Sequence, residues 1–117
     1  MKLTERRMNG LSIIDIAGDL TVPAENPRAL REKVAALVQR GERRVLLNVA
    51  NLRHLDSSFV GEMVASYKTM AAQGGVLMLA HVSPHLQNVL RTTNLDALFK
   101  SFETEADAVA RLTESVS

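Results

Sequence analysis

No cysteine occurs anywhere in the 117 residues. Disulfides, thiolate catalysis and cysteine-based zinc sites are therefore excluded, and a reducing compartment is compatible with the chain. Tryptophan is absent as well, and aromatic residues make up only 3% of the sequence. That leaves no series of stacking platforms for single-stranded nucleic acid. The formal net charge is only +1, with both signs interspersed. A dedicated nucleic-acid binder would carry a basic stripe, and none is present. The pairs Arg6-Arg7 and Arg43-Arg44 each lie beside glutamate and read as solvated surface. No apolar run approaches the ~20 residues that a membrane span needs. The opening MKLTERRMNG lacks the apolar stretch of a secretory signal. The expectation is a soluble cytoplasmic protein.

What is present suits one compact domain, expected over 1–117. Hydrophobic residues are 46% and charged residues 23% of the chain. At this length roughly 65% of the unfolded surface can be buried, enough for one real core.

The chain opens with a hairpin signal. Asn9-Gly10 suits the positive φ angles of a tight turn between Lys2–Met8 and Leu11–Ala17. Asn26-Pro27 reads as an N-cap and first helical residue, followed by Leu30, Val34, Leu37 and Val38 at helical spacing. VLLNV, Val45–Val49, is short, apolar and branched, as a buried strand is. A second helix follows, with Val60, Met63, Val64, Tyr67, Met70 and Ala71 as its apolar stripe and Gly74-Gly75 at its end. VLMLA, Val76–Ala80, is the next buried strand. Ser83-Pro84 starts a third helix, which Asn94 stops. A short extended piece near Phe99–Phe102 precedes a last helix, opened by Thr104 and Asp107 at capping-box spacing. Helix and strand alternate after the hairpin, which predicts an α/β fold. Its sheet is mixed and mostly parallel, with right-handed crossovers and about four covering helices.

Catalytic and metal chemistry find little support. His54, His81 and His85 are the only histidines. His81 and His85 are four apart, but one ends a strand and the other begins a helix, so they do not share a helix face. No G-x-S-x-G elbow, phosphate loop or dinucleotide fingerprint occurs. No metal and no cofactor is expected, and the chain does not read as an enzyme. The remaining feature is Asp56-Ser57-Ser58 at the junction between VLLNV and the second helix. Both residue types cap helix N-termini by accepting bonds from free N–H groups. A serine there is also reachable, and a phosphate on it would meet the positive end of the helix dipole.

Three stretches together carry a resemblance: NGLSIIDIAGDLT at Asn9–Thr21, VLLNVANLRHLDSS at Val45–Ser58, and YKTMAAQGGVLMLAHVSPHLQNVLRTTNLDALF at Tyr67–Phe99. In order and spacing the chain resembles the STAS domain of bacterial anti-sigma factor antagonists, over roughly Leu3 to Leu112. The resemblance implies the STAS fold. It also implies a partner switch built on a D-S-S/T-G-L-G motif, in which the serine after the aspartate accepts phosphate. That position is Ser57; Ser58 is the neighbouring hydroxyl and Gly61 matches the last motif glycine. The implied partners are an anti-sigma factor that is also a serine kinase, and a PP2C-type phosphatase. The implied partner surface is Asp19, Thr21, Asp56, Ser57, Ser58, Phe59, Val60 and Glu62. A monomer or weak dimer fits this role.

The sequence departs from the family pattern in two places. Phe59-Val60 stands where the family has Gly-Leu, and Thr21 stands where many relatives carry an acid. An exposed Phe59 would anchor a different partner or block a typical kinase; a buried one is core. The alternative function is a constitutive, non-phosphorylated STAS interaction module in a signalling scaffold or transporter-associated protein.

Overall fold

A computed structural model describes residues 2–19, 26–53 and 57–114, and only the backbone at Asp19, Ser57 and 112–114. Leu112, at the end of the stretch that carries the resemblance, thus has no described side chain. In chain order the elements are β1 (Lys2–Met8), β2 (Leu11–Asp19), α1 (Ala29–Gln39), β3 (Arg44–Arg53), α2 (Ser57–Ala72), β4 (Val76–Ala80), α3 (Pro84–Thr92), β5 (Ser101–Phe102) and α4 (Glu105–Glu114). The strands form a sheet in the order β1-β2-β3-β4-β5. β1 is antiparallel to β2, and every other pairing is parallel. The hairpin, the mixed sheet and the four helices are those expected from the sequence.

Local chemistry explains most boundaries. Asn9 and Gly10 turn the hairpin with φ of 54° and 79°, the left-handed values that this dipeptide tolerates. Ser83 caps α3: its Oγ accepts from the Leu86 N–H at 3.1 Å, and Pro84 follows. Asn94 stops that helix with φ of 60°. Thr104 Oγ1 accepts from the Asp107 N–H at 3.1 Å and opens α4. α2 ends where the Gly75 N–H returns to the Met70 carbonyl at 2.8 Å, with Gly74 at φ 73°. A Cβ at Gly75 would lie 2.9 Å from the carbonyl oxygen of Arg43, the residue before β3, so only glycine fits this turn.

Several boundaries differ from expectation, among them β2, which runs past Ala17 to Asp19, and β5, which is only Ser101–Phe102. Asn26-Pro27 does not begin α1. Asn26 Oδ1 accepts from the Arg28 N–H at 3.0 Å, which closes a turn two residues on, and the helix starts at Ala29. β3 runs past Val49 to Arg53. Beyond a bulge between Asp15 and Ala17, β2 continues to pair with Asn51, Leu52 and Arg53. Asn48 supports the bulge, its Oδ1 accepting from the Ala50 N–H at 3.0 Å.

The sheet buries both faces unequally. Ile14, Ile16, Val45, Leu47, Val49, Leu77 and Leu79 point toward α1, α2 and α3, which contribute Leu30, Val34, Leu37, Phe59, Met63, Met70, Leu86 and Leu90. Phe99 joins this core and meets Tyr67 edge-on, with ring centroids 5.6 Å apart. The other face holds a smaller cluster, in which Leu11, Ile13, Leu46 and Ala80 pack with Ala108 and Val109 of α4.

α4 has fewer apolar contacts and is also held by charge. Arg6 on β1 donates from Nε and Nη2 to both oxygens of Asp15 at 2.5 and 2.8 Å. It also donates from Nη1 and Nη2 to both oxygens of Glu105 at 3.1 and 2.6 Å. Asn48 adds a bond to Glu105 Oε2 at 2.8 Å. The Glu105 N–H is taken by His81 Nε2 at 3.3 Å. The guanidinium of Arg6 holds the Glu105 carboxyl below its ordinary value, against the opposing effect of partial burial; Asn48 helps. A lowered folded-state value contributes stability above the unfolded carboxylate range and loses it as pH falls through the lowered value. Glu105→Gln is expected to cost about 1.5–3 kcal/mol at neutral pH, the range for hydrogen bonds to charged groups. The difference from wild type should shrink in urea titrations as pH drops below the ordinary carboxylate range. A constant difference down to the acid limit would show that the charge is not what holds α4.

Candidate functional site

The second helix begins at the end of the sheet where the parallel strands finish. β2 ends at Asp19 opposite Arg53 of β3, and α2 starts at Ser57 shortly after. Ligand sites of open α/β sheets lie at this carboxyl end. Asp19 by its backbone and Ser57 by its backbone thus belong to one end of the molecule. Thr21 and Asp56 lie outside the described residues, as do the side chains of Asp19 and Ser57.

The rotation of α2 decides which side chains this end presents. Phe59, Met63, Ser66 and Met70 are buried, at helical spacing. The expected stripe holds in part: Met63 and Met70 lie inside, Val60, Val64 and Tyr67 flank the buried line, and Ala71 is exposed. Two polar residues take inward places that an apolar count passes over. Ser66 Oγ donates to the Glu62 carbonyl one turn back at 2.8 Å, which removes the cost of burying the hydroxyl. Glu62 is only 9% exposed. Its carboxylate is held by Arg31 of α1, from Nε at 2.9 Å and Nη2 at 2.6 Å.

Two of the residues expected on a partner surface consequently turn inward. Phe59 is 4% exposed and packs in the main core, so it is not an exposed anchor. Glu62 is engaged by Arg31 through Oε2 alone, and its buried Oε1 has no hydrogen-bond partner among the described residues. Ser58 is exposed, and Val60 is half-buried. Gly61 is exposed too, and a Cβ built on it would meet nothing within 4 Å. Glycine inside a helix costs about 1 kcal/mol relative to alanine. The fold itself gives no steric reason for glycine at this position. Among the residues with described side chains, the outward surface of the first turns of α2 is therefore made by Ser58, Gly61 and part of Val60.

Arg31 is the site residue that sequence patterning missed. It is an ordinary surface residue of α1 by periodicity, and its partner is 31 positions away. The histidines do not converge here. His81 caps α4, His85 is exposed, and His54 lies outside the described residues. Among the described residues, no group of three or more His, Asp or Glu side chains comes together as a metal ion would require. Among them too, no helix is long and apolar enough to cross a membrane.

The STAS domain model matches residues 3–108. The chain belongs to the STAS domain family. BtrV of Bordetella bronchiseptica, provisionally named an anti-sigma factor antagonist, is 28% identical over 110 residues, covering 94% of this chain and 93% of its own. The anti-sigma F factor antagonist of Paenibacillus polymyxa is 24% identical over 104 residues, 88% of this chain and 87% of its own. The fold agrees with that of the anti-sigma factor antagonist SpoIIAA in its unphosphorylated form, with a TM-score of 0.78 at 21% identity over 95% and 96% of the two chains. This STAS chain shares that architecture over nearly its whole length.

The Arg31–Glu62 pair has a direct test. Removing Arg31 leaves a carboxylate buried without its cation, which costs about 1–3 kcal/mol. Arg31→Ala should lose that stability in urea unfolding, and Arg31→Ala with Glu62→Gln should recover part of it. Additive losses in the double variant would show that the two side chains do not act as a pair.

Proposed function

We propose that this protein is an anti-sigma factor antagonist switched by phosphorylation at Ser57, acting as a single STAS domain over 1–117. Unphosphorylated, it binds an anti-sigma factor that is also a serine kinase and so releases the sigma factor. The kinase transfers the γ-phosphoryl group of ATP to the Ser57 hydroxyl, leaving ADP and a proton, and the complex ends. A PP2C-type phosphatase restores the hydroxyl. The protein itself is a regulator without catalytic activity, placed in the cytoplasm with its partners.

The observation that carries this reading is the rotation of α2. With Phe59 inside, the helix turns Ser58 and the bare backbone of Gly61 outward at the carboxyl end of the sheet. A partner can approach closely there. Asp19, Thr21, Asp56, Ser57, Ser58 and Val60 complete the proposed contact area. The names of BtrV and of the Paenibacillus polymyxa protein support the regulatory role. SpoIIAA, similar in fold, has been solved in a phosphorylated form, with a TM-score of 0.71 to this chain.

The electrostatics are sufficient for a switch. A phosphate adds about −1.5 to −2 charges at neutral pH. Two unit charges ~4 Å apart at an effective dielectric near 20 interact by about 4 kcal/mol. Half of that, opposing an interface, weakens binding roughly thirtyfold. The constitutive alternative depended on an exposed Phe59 as a distinct anchor, and the burial of that ring removes its support.

Incubation with the cognate kinase and ATP should add one phosphoryl group by intact-mass measurement, and Ser57→Ala should abolish it. Phosphate found on Ser58 alone would move the switch by one residue. Equal binding of the anti-sigma factor by Ser57→Ala and Ser57→Asp would contradict the switch itself.

A further inference from the structure

The outer edge of β4 is only partly covered. Of its residues Val76–Ala80, only Leu79 and Ala80 pair with β5, opposite Ser101 and Phe102. The Leu79 N–H donates to the Lys100 carbonyl and the His81 N–H to the Phe102 carbonyl, both at 3.0 Å. Residues alternate along a parallel strand, so the intervening N–H groups face β3. Accordingly the Val76 N–H donates to the Arg43 carbonyl at 2.8 Å. The amide and carbonyl of Leu77 therefore point to the same outer side as those of Leu79.

One step back along that side, the ladder would need a backbone partner near position 98. The chain turns there instead. The N–H groups of Leu98 and Phe99 both return to the Leu95 carbonyl, at 3.0 and 3.3 Å, which carries Phe99 into the core. Leu77 is left with no backbone partner on its outer side among the described residues. It is nevertheless only 3% exposed. Enclosed backbone N–H and C=O groups are paired in more than about nine cases in ten. Over this residue lies a cleft of about 410 Å³, walled by Tyr67, Gly75 and Leu98 and rimmed by the exposed Asp96 and Lys100.

We propose that this cleft is a second binding site, which takes a short extended peptide segment of a partner protein as an added strand beside β4. The segment supplies a carbonyl to the Leu77 N–H and an N–H to the Leu77 carbonyl, continuing the ladder that β5 leaves short. An apolar side chain of the segment rests against Tyr67 and Leu98. An acidic residue meets Lys100 and a basic one meets Asp96, so the rim selects segments with separated charges of both signs. Strand addition of this kind draws affinity from main-chain bonds and specificity from the flanking side chains. The site is distinct from the first turns of α2 and does not depend on phosphorylation.

Amide hydrogen exchange followed by NMR tests this on the whole chain. In the free protein the Leu77 amide should exchange faster than that of Leu79. The probe is a capped pentapeptide of alternating threonine and valine with glutamate at one end and lysine at the other, used in both charge orders. One order should slow Leu77 exchange severalfold and saturably, and N-methylation of its central residue should abolish the effect. Three results would overturn the proposal: Leu77 exchanging as slowly as Leu79 in the free protein, no slowing by either peptide at millimolar concentration, or equal slowing by the N-methylated form. The first of these would mean an internal partner, the second a cleft that holds only water, and the third contact without strand pairing.

Discussion

The burial of Phe59 sets the orientation of everything at the carboxyl end of the sheet. An α-helix advances about 100° per residue. Once the ring at position 59 enters the core with Met63 and Met70, the positions between them have no freedom left. Ser58 and Gly61 must face outward, and Glu62 must face α1. The residue that departs from the family motif thus acts as a key for the helix and not as a feature of its surface. Fully burying such a side chain is worth about 1.5–3 kcal/mol. That exceeds the cost of about 1 kcal/mol for the glycine two residues on.

The sheet gives this orientation a rigid base. Three helices share the larger core on one face, and α1 is tied to α2 through Arg31 and Glu62. The opposite face has one helix and a smaller apolar cluster. There the Arg6, Asp15, Asn48 and Glu105 network supplements what hydrophobic contact provides. The β1 edge carries Lys2, Glu5, Arg6 and Arg7, charges of the kind that discourage edge-to-edge pairing. Glu5 is held by Lys33 and Arg40 of the α1 region, and Arg7 by Glu42. The open part of β4 has no charged residue on the strand itself, and the proposed added strand would join there between Asp96 and Lys100.

Features set by neighbouring residues were legible in the sequence. The Asn9-Gly10 turn, the Ser83-Pro84 start and the strand VLMLA all depend on local chemistry, and each lies where it was expected. Features set by distant partners were not. β3 extends to Arg53 because β2 offers pairs beyond the bulge, which no property of VLLNV announces. The stripe of α2 holds for Met63, Val64, Tyr67 and Met70 but is incomplete, because Glu62 and Ser66 are polar yet inside, one held by α1 and the other by its own helix. Arg6 and Glu105 are 99 positions apart, so their bond has no local signature. At the site, the candidate residues of α2 were recognisable from the Asp-Ser-Ser motif. Which of them face outward required knowing where Phe59 goes.

The central claim is that the outward surface of the first turns of α2 is the partner surface. An NMR titration of this chain with its cognate anti-sigma factor tests it most directly. The account predicts that the largest amide changes fall at Ser57, Ser58 and Gly61, with the α4 amides from Glu105 to Arg111 unmoved. Changes concentrated on α4 and β1, with Ser58 and Gly61 silent, would contradict it.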